Sequence, residues 1–165
     1  MTSPYALVIN IDGSFRPLIN KSGLAGLVTF PDSFNLESKE IFSLTYTPAT
    51  INQMELEACI RAFTYLYNNA QKLGINHAII YTDSRYVTEH QYTCFNWRKD
   101  KWIKRDGLPV KNVESWKRFI RERAKASSRT SLIEVVWKEG KTTVENKEVD
   151  KLAKQASLAA GGSRH

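Results

Sequence analysis

Cysteine is scarce in this chain. With only two in 165 residues, Cys59 and Cys94, both in apolar or helical surroundings, neither a disulfide framework nor a cysteine-based zinc site is suggested, and reduced thiols fit a cytoplasmic, nucleoid or nuclear setting. Long apolar runs are missing too: no stretch approaches the roughly 18 apolar residues of a membrane span. Met1-Thr2-Ser3-Pro4 carries no basic segment backed by an apolar one, so neither secretion nor membrane insertion is expected. No internal repeat, low-complexity linker or heptad array interrupts the chain. That leaves a single domain over residues 1–160, expected to be monomeric, and a flexible tail, Gly161-Gly162-Ser163-Arg164-His165. Acidic charge is in deficit, 17 Asp and Glu against 24 Lys and Arg, a formal net charge of +7. A surplus of this kind commonly marks a polyanionic partner.

The surplus is not spread evenly. Between Trp97 and Lys125 stand eleven Lys or Arg and four Asp or Glu, so this segment alone carries the whole net charge of +7. Trp97, Trp102 and Trp116 are interleaved with it. Confined positive charge among aromatic side chains is a better nucleic-acid signal than the same charge dispersed, with a solvated helical face as the plainer alternative.

Hydrophobic periodicity supplies the elements. Tyr5-Ala6-Leu7-Val8-Ile9-Asn10-Ile11-Asp12 predicts a buried strand that delivers a carboxylate to its C-terminal end. Strands near Gly23–Phe30 and Lys39–Thr47, separated by a turn at Pro31–Ser33, complete an antiparallel meander. Leu56, Cys59, Ile60, Phe63, Leu66 and Tyr67 fall at helical spacing, which predicts an amphipathic helix over Ile51–Leu73 closed by Gly74. His77–Thr82 predicts a second buried strand ending on a carboxylate, Asp83, with a short helix starting at Ser84. Phe95–Lys125 reads as two basic helical pieces broken at Asp106-Gly107-Leu108-Pro109. A strand, Leu132–Trp137, and a helix from Val144 to Ala160 carrying Asp150 close the chain. The order implies an α/β fold, a mixed sheet with helices on its faces.

Two strands ending on aspartates draw attention to the acids. Hard divalent cations prefer oxygen ligands, and metal-assisted phosphodiester hydrolysis needs several carboxylates converging on one point. Asp12, Glu55, Asp83 and Asp150 are the candidates. Asp12 and Asp83 meet if their strands lie side by side and parallel. Of Glu55 and Glu57, the row 55, 59, 62, 66 is Glu, Cys, Ala, Leu and borders the core, whereas 57, 61, 64, 68 is Glu, Arg, Thr, Asn and reads as a solvent row. Glu55 is therefore the one expected to face the site. Each acid alone reads equally as a surface charge, a cap or a turn residue.

Taken together, Ile11-Asp12-Gly13-Ser14, Asn52-Gln53-Met54-Glu55-Leu56, Tyr81-Thr82-Asp83-Ser84 and Asn146-Lys147-Glu148-Val149-Asp150-Lys151-Leu152-Ala153 resemble, in order and spacing, the four signature blocks of cellular type 1 ribonuclease H. Asn96-Trp97-Arg98-Lys99, Trp102, Pro109-Val110-Lys111-Asn112-Val113 and Trp116 are similar to that family's basic protrusion. The resemblance implies a mixed five-stranded sheet, its first three strands antiparallel and its central strand ending at Asp12, flanked by helices. It implies a metal cluster of Asp12, Glu55, Asp83 and Asp150 holding two Mg²⁺, with Mn²⁺ as a substitute. The implied activity is endonucleolytic hydrolysis of the RNA strand of an RNA–DNA hybrid, leaving 3′-hydroxyl and 5′-phosphate ends. By the same similarity Ser14, Asn52 and Gln53 touch the hybrid in its minor groove, Thr50 and Asn112 match a DNA-phosphate pocket, and Trp97 matches a wall of the DNA channel.

The chain also departs from that pattern. The histidine usual in the loop before the last helix falls here on Gly140, in Lys138-Glu139-Gly140-Lys141-Thr142-Thr143. Glu139 and Lys141 are the titratable residues placed to assume part of its proton-transfer role. Pro48 stands where an arginine is common beside the phosphate pocket, and Phe15–Ser22 lacks the usual glycine-rich run. Two alternatives stay open at this point: a catalytically weak or inactive nucleic-acid-binding domain of the same fold, and a ribonuclease H domain of a reverse transcriptase, against which the Met1 start speaks.

Overall fold

The computed structural model describes residues 5–47, 50–140 and 142–162, with side chains to 158. Five strands, β1 (Leu7–Arg16), β2 (Lys21–Thr29), β3 (Lys39–Tyr46), β4 (His77–Thr82) and β5 (Leu132–Trp137), form one sheet in the order β3-β2-β1-β4-β5. β1, β2 and β3 pair antiparallel, while β4 runs parallel to both β1 and β5. Each parallel return needs a crossover, and helices supply both. α1 (Ile51–Leu73) links β3 to β4. α2 (Arg85–His90), α3 (Thr93–Lys99) and α4 (Val113–Ser127) link β4 to β5, and α5 (Val144–Gly162) follows β5.

Alternation along β1 sorts the two faces of the sheet. Leu7, Ile9 and Ile11 pack with Leu56, Ile60, Phe63 and Leu66 of α1 and with Trp116 and Phe119 of α4 in the main core. On the opposite face Ala25 and Leu27 of β2 pack against Val149 and Ala153 of α5. That second contact depends on Gly23, where a Cβ would come within 2.0 Å of the Ala153 carbonyl oxygen. α1 starts at Thr50, whose side chain accepts from the Gln53 N–H, and stops at Gly74 in the left-handed region (φ +69°). Both ends are the boundaries that capping chemistry favours.

Three expectations need correction. β1 does not end at Asp12 but continues to Arg16, pairing with β2 throughout, whereas its parallel pairing with β4 stops at Asn10↔Tyr81. Asp12 thus stands beyond the parallel contact without ending its own strand. The first basic helical piece ends at Lys99: Lys101 and Trp102 adopt positive φ (58° and 65°), and the Trp102 N–H turns back to the Trp97 carbonyl. Residues 100–111 form a loop pinned by the Ile103↔Pro109 bridge. Glu57 is not on a solvent row. It is 1 % exposed, because α1 is covered by α4 as well as by the sheet, and Arg118 of α4 supplies the opposing charge.

Candidate metal centre and nucleic-acid face

Three carboxylates converge where β1 and β4 part. Asp12, Glu55 and Asp83 each offer an oxygen, and these atoms lie within 4.8 Å of one another. β1 carries Asp12 past the last β1–β4 pair, β4 ends one residue before Asp83, and the first turns of α1 bring in Glu55. Asp150, on α5, reaches Asp12 closely enough to share a hydrogen bond and is ion-paired to Lys154 at 3.1 Å. All four sequence candidates are therefore brought to one place.

The electrostatics of that place are unfavourable to the protein alone. Burial, the nearby Asp83 charge and Asp150 push the Asp12 carboxyl up to about 8, against a lowering contribution from the Gly13 N–H that donates to its Oδ1 at 2.9 Å. Glu55 is driven well above the usual carboxylate range by burial first, then by Asp83 and Asp12. Glu55 Oε2 is enclosed and accepts no hydrogen bond from the described residues. Gathered anions with an unsatisfied buried oxygen are what a hard divalent cation would relieve, so the donor set fits such an ion.

The loop after β5 closes against this cluster. Trp137 Nε1 donates to the Asp83 carbonyl at 3.2 Å, and the Lys138 N–H donates to the Thr82 carbonyl at 2.9 Å. A Cβ on Gly140 would stand 2.8 Å from Asp83 Oδ2, so glycine is what permits the approach. Asn146 fastens the loop: its Nδ2 donates to the Glu139 carbonyl at 2.7 Å and to Thr142 Oγ1, while its Oδ1 accepts from the Thr143 N–H. The Glu139 side chain is exposed, and Lys141 and Pro48 lie outside the described residues. The clamping role of Asn146 was not anticipated. Its signal was the Thr143-x-x-Asn146 spacing of a reciprocal helix cap, in which Thr143 Oγ1 accepts from the Asn146 N–H.

The remaining sequence candidates surround the cluster. Ser14 lies two residues beyond Asp12 on the same face of β1, and Asn52 and Gln53 form the first turn of the helix that carries Glu55. Thr50 Oγ1 donates to Asn112 Oδ1 at 3.2 Å, bringing those two together. Asn112 in turn donates from Nδ2 to the Tyr86 hydroxyl, which also accepts from Trp116 Nε1 at 2.8 Å. Trp97 joins this assembly through rings, with His90 at 5.0 Å and Trp116 at 5.9 Å between centroids. Sequence periodicity gave no hint of the Tyr86 hub, because its partners come from α4 and the loop before it.

Comparison with known proteins agrees with this geometry. The family model described as RNase H matches residues 4–158. A ribonuclease HI of Rickettsia prowazekii is 31% identical over 159 residues, covering 93% of this chain and 92% of its own, and a ribonuclease H of Novosphingobium aromaticivorans is 36% identical over 113 residues, covering 67% and 71%. Among solved structures, the N-terminal RNase H domain of a Mycobacterium tuberculosis protein superposes with a TM-score of 0.65 at 24% identity, over 98% of this chain and 99% of that one. The foamy viral protease–reverse transcriptase, solved with an RNA/DNA hybrid, superposes with a TM-score of 0.73 at 22% identity, over 96% of this chain; this chain spans 21% of its length. At these identities the structural likenesses speak for the fold.

Proposed function

Because this chain belongs to the ribonuclease H family, we propose that it is a metal-dependent endoribonuclease that hydrolyses the RNA strand of RNA–DNA hybrids, acting as a monomer and leaving 3′-hydroxyl and 5′-phosphate ends. One observation carries the reading: three carboxylate oxygens of Asp12, Glu55 and Asp83 within 4.8 Å of one another, flanked by Asp150. Four acids facing a phosphate backbone would repel it unless a cation neutralised them, which disfavours a purely binding role.

Asp12, Glu55, Asp83 and Asp150 would hold the metal, Mg²⁺ by preference for hard oxygen donors, as two ions, with Mn²⁺ as a substitute. Bound there, such ions would supply Lewis acidity to the phosphate and to the attacking water. The chain's own residues do the rest. Ser14, Asn52 and Gln53 read the RNA strand from the minor groove, where the 2′-hydroxyl distinguishes it from DNA. Thr50 and Asn112, already joined by a hydrogen bond, grip a DNA phosphate, and Trp97 lines the DNA channel. The cations of the segment from Trp97 to Lys125 supply sequence-independent attraction to the backbone. Glu139 or Lys141 takes over part of the proton-transfer role of the histidine that the resembling family carries at the position of Gly140. Alanine at either is expected to lower turnover with little change in hybrid binding, as single-turnover kinetics and a binding titration would measure.

The deciding experiment is cleavage of a labelled hybrid, with RNA–RNA and DNA–DNA duplexes as controls, in Mg²⁺, Mn²⁺ and EDTA, for wild type and Asp12→Asn. Metal-dependent cutting of the hybrid's RNA strand alone, lost in the variant, is the expected result. Hybrid binding without cutting would overturn it in favour of a binding domain.

A further inference from the structure

Beside the carboxylates lies a small, partly open cavity of about 10 Å³, whose lining includes Asn10, Asp12, Asp83, Lys138 and Asn146. That is about the space one water molecule needs. Asn10 is 2 % exposed, and its Oδ1 is buried without a hydrogen-bond partner among the described residues. It interrupts an otherwise apolar run, Leu7-Val8-Ile9-Asn10-Ile11, and lies two residues before Asp12, so both side chains leave β1 on the same face. A buried carboxamide oxygen left without a donor is costly, and here the cost falls beside the cluster just described. Asn146 cannot relieve it, since its Nδ2 already donates to the Glu139 carbonyl and to Thr142 Oγ1. A water in the cavity would meet two acceptors, Asn10 Oδ1 and the Asp12 carboxylate, in a lining that Lys138 and Asn146 help to complete. Two to four polar partners are what a stable buried water requires.

We propose that Asn10 is a positioning residue: it holds one buried water that donates to the inner side of the Asp12 carboxylate and so fixes the orientation in which Asp12 meets a divalent ion. This rests on the reading of the carboxylates as a metal centre. Partners of this outer kind orient a metal ligand without touching the metal, and their loss typically costs roughly 10–100-fold in metal affinity.

The test has two parts, neither of which reads activity. High-resolution crystals of the metal-free wild type are expected to show one water within hydrogen-bond distance of Asn10 Oδ1 and Asp12, and crystals of Asn10→Leu to lack it. Calorimetric titration with Mn²⁺ is expected to show affinity at least about tenfold weaker in Asn10→Leu, and within about twofold of wild type in Asn10→Ser, which keeps an oxygen and leaves room for water. Should Asn10→Leu fail to fold, the wild-type crystal and Asn10→Ser carry the test. No water in the wild type, equal Mn²⁺ affinity in Asn10→Leu, or an equal loss in Asn10→Ser would overturn the inference. A wild type that holds the water but binds no Mn²⁺ would instead overturn the metal reading itself.

Discussion

The carboxylate cluster and the aromatic base of the basic segment are built on opposite terms. At the cluster, like charges are gathered, two acids are pushed upward by burial and by one another, and Glu55 Oε2 is left without a partner. At the aromatic base the Tyr86 hydroxyl accepts from both Asn112 and Trp116, and Tyr86, His90, Trp97, Trp116 and Phe119 follow one another in ring contact. The first region withholds internal satisfaction and is completed from outside. The second is satisfied within except at His90 Nδ1, which is buried without a hydrogen-bond partner among the described residues, and its packed rings make it a firm platform from which solvent-facing cations can act. On the proposed function, the two regions would divide the work, chemistry at the carboxylate cluster and grip at the aromatic base.

Asp12→Asn breaks this contrast most completely. Hybrid cleavage should fall below detection, while the metal-free protein should become more stable near about pH 8. The sign follows from the direction of the shift. Asp12 is raised from 3.8 to about 8 in the folded chain, so the folded state holds a proton that the unfolded chain releases. The resulting stabilisation is complete below the unfolded value and is lost as pH rises through about 8. Metal-free wild type should therefore lose stability between those values, and Asp12→Asn should flatten the loss. Urea unfolding in EDTA across that range measures it; a steeper decline in the variant would contradict the repulsion inferred here.

Glu55 and Glu57 sharpen the comparison within one helix. Both are buried, yet Glu57 is answered by Arg118 and by Arg61 at 2.9 Å, whereas Glu55 is met by other acids. Removing one partner of a buried ion pair costs about 3–5 kcal/mol. The lower end applies here, because the Arg61 and Arg118 side chains are 44% and 39% exposed and can turn to solvent. Glu57→Ala should thus lower the melting temperature by roughly 6–12 °C at this chain length and leave metal affinity little changed. Glu55→Gln should do the reverse. Calorimetry of unfolding and of Mn²⁺ binding separates the two.

The misreading of Glu57 shows how far periodicity reaches. A row of Glu, Arg, Thr and Asn on a helix is polar whether it faces water or a second helix that brings its own arginine, and only the position of α4 decides between them. The strands and α1 were legible because apolar spacing encodes them locally, and strand ends singled out Asp12 and Asp83; that all four acids meet was implied by the resemblance to ribonuclease H and not by spacing. The course of residues 100–111 was not. Its reversal depends on Lys101 and Trp102 adopting positive φ, which no glycine at either position announced. Asn10 was visible as a polar residue in an apolar strand, but its place beside the cavity needed the packing of α5 against the sheet.

A smaller break concerns the loop. Gly140 lies so close to Asp83 that an added Cβ would meet its Oδ2 at 2.8 Å. The atom displaced is the far end of a side chain rather than backbone, so Gly140→Ala should scarcely change thermal stability. It should nonetheless move the carboxylate, weakening Mn²⁺ affinity by about tenfold in a calorimetric titration. Histidine at 140, although it restores the residue common in the resembling family, begins with the same Cβ and should carry the same penalty. Unchanged metal affinity in both variants would show that Asp83 tolerates the displacement.

The smallest effect is expected on the gripping side. Arg105 is exposed on the loop between α3 and α4 and lines a groove with Trp97, Lys99 and Lys104. If that groove tracks a nucleic-acid backbone, each cation acts chiefly by neutralising a phosphate and releasing its counterion. Arg105→Ala should then weaken hybrid binding modestly at low salt and make the slope of log affinity against log salt shallower by about one, leaving turnover at saturating substrate as in the wild type. An unchanged slope would remove Arg105 from the interface. A loss of turnover would mean that the loop feeds back on the carboxylate centre, and the division between a platform that grips and a cluster that reacts would have to be abandoned.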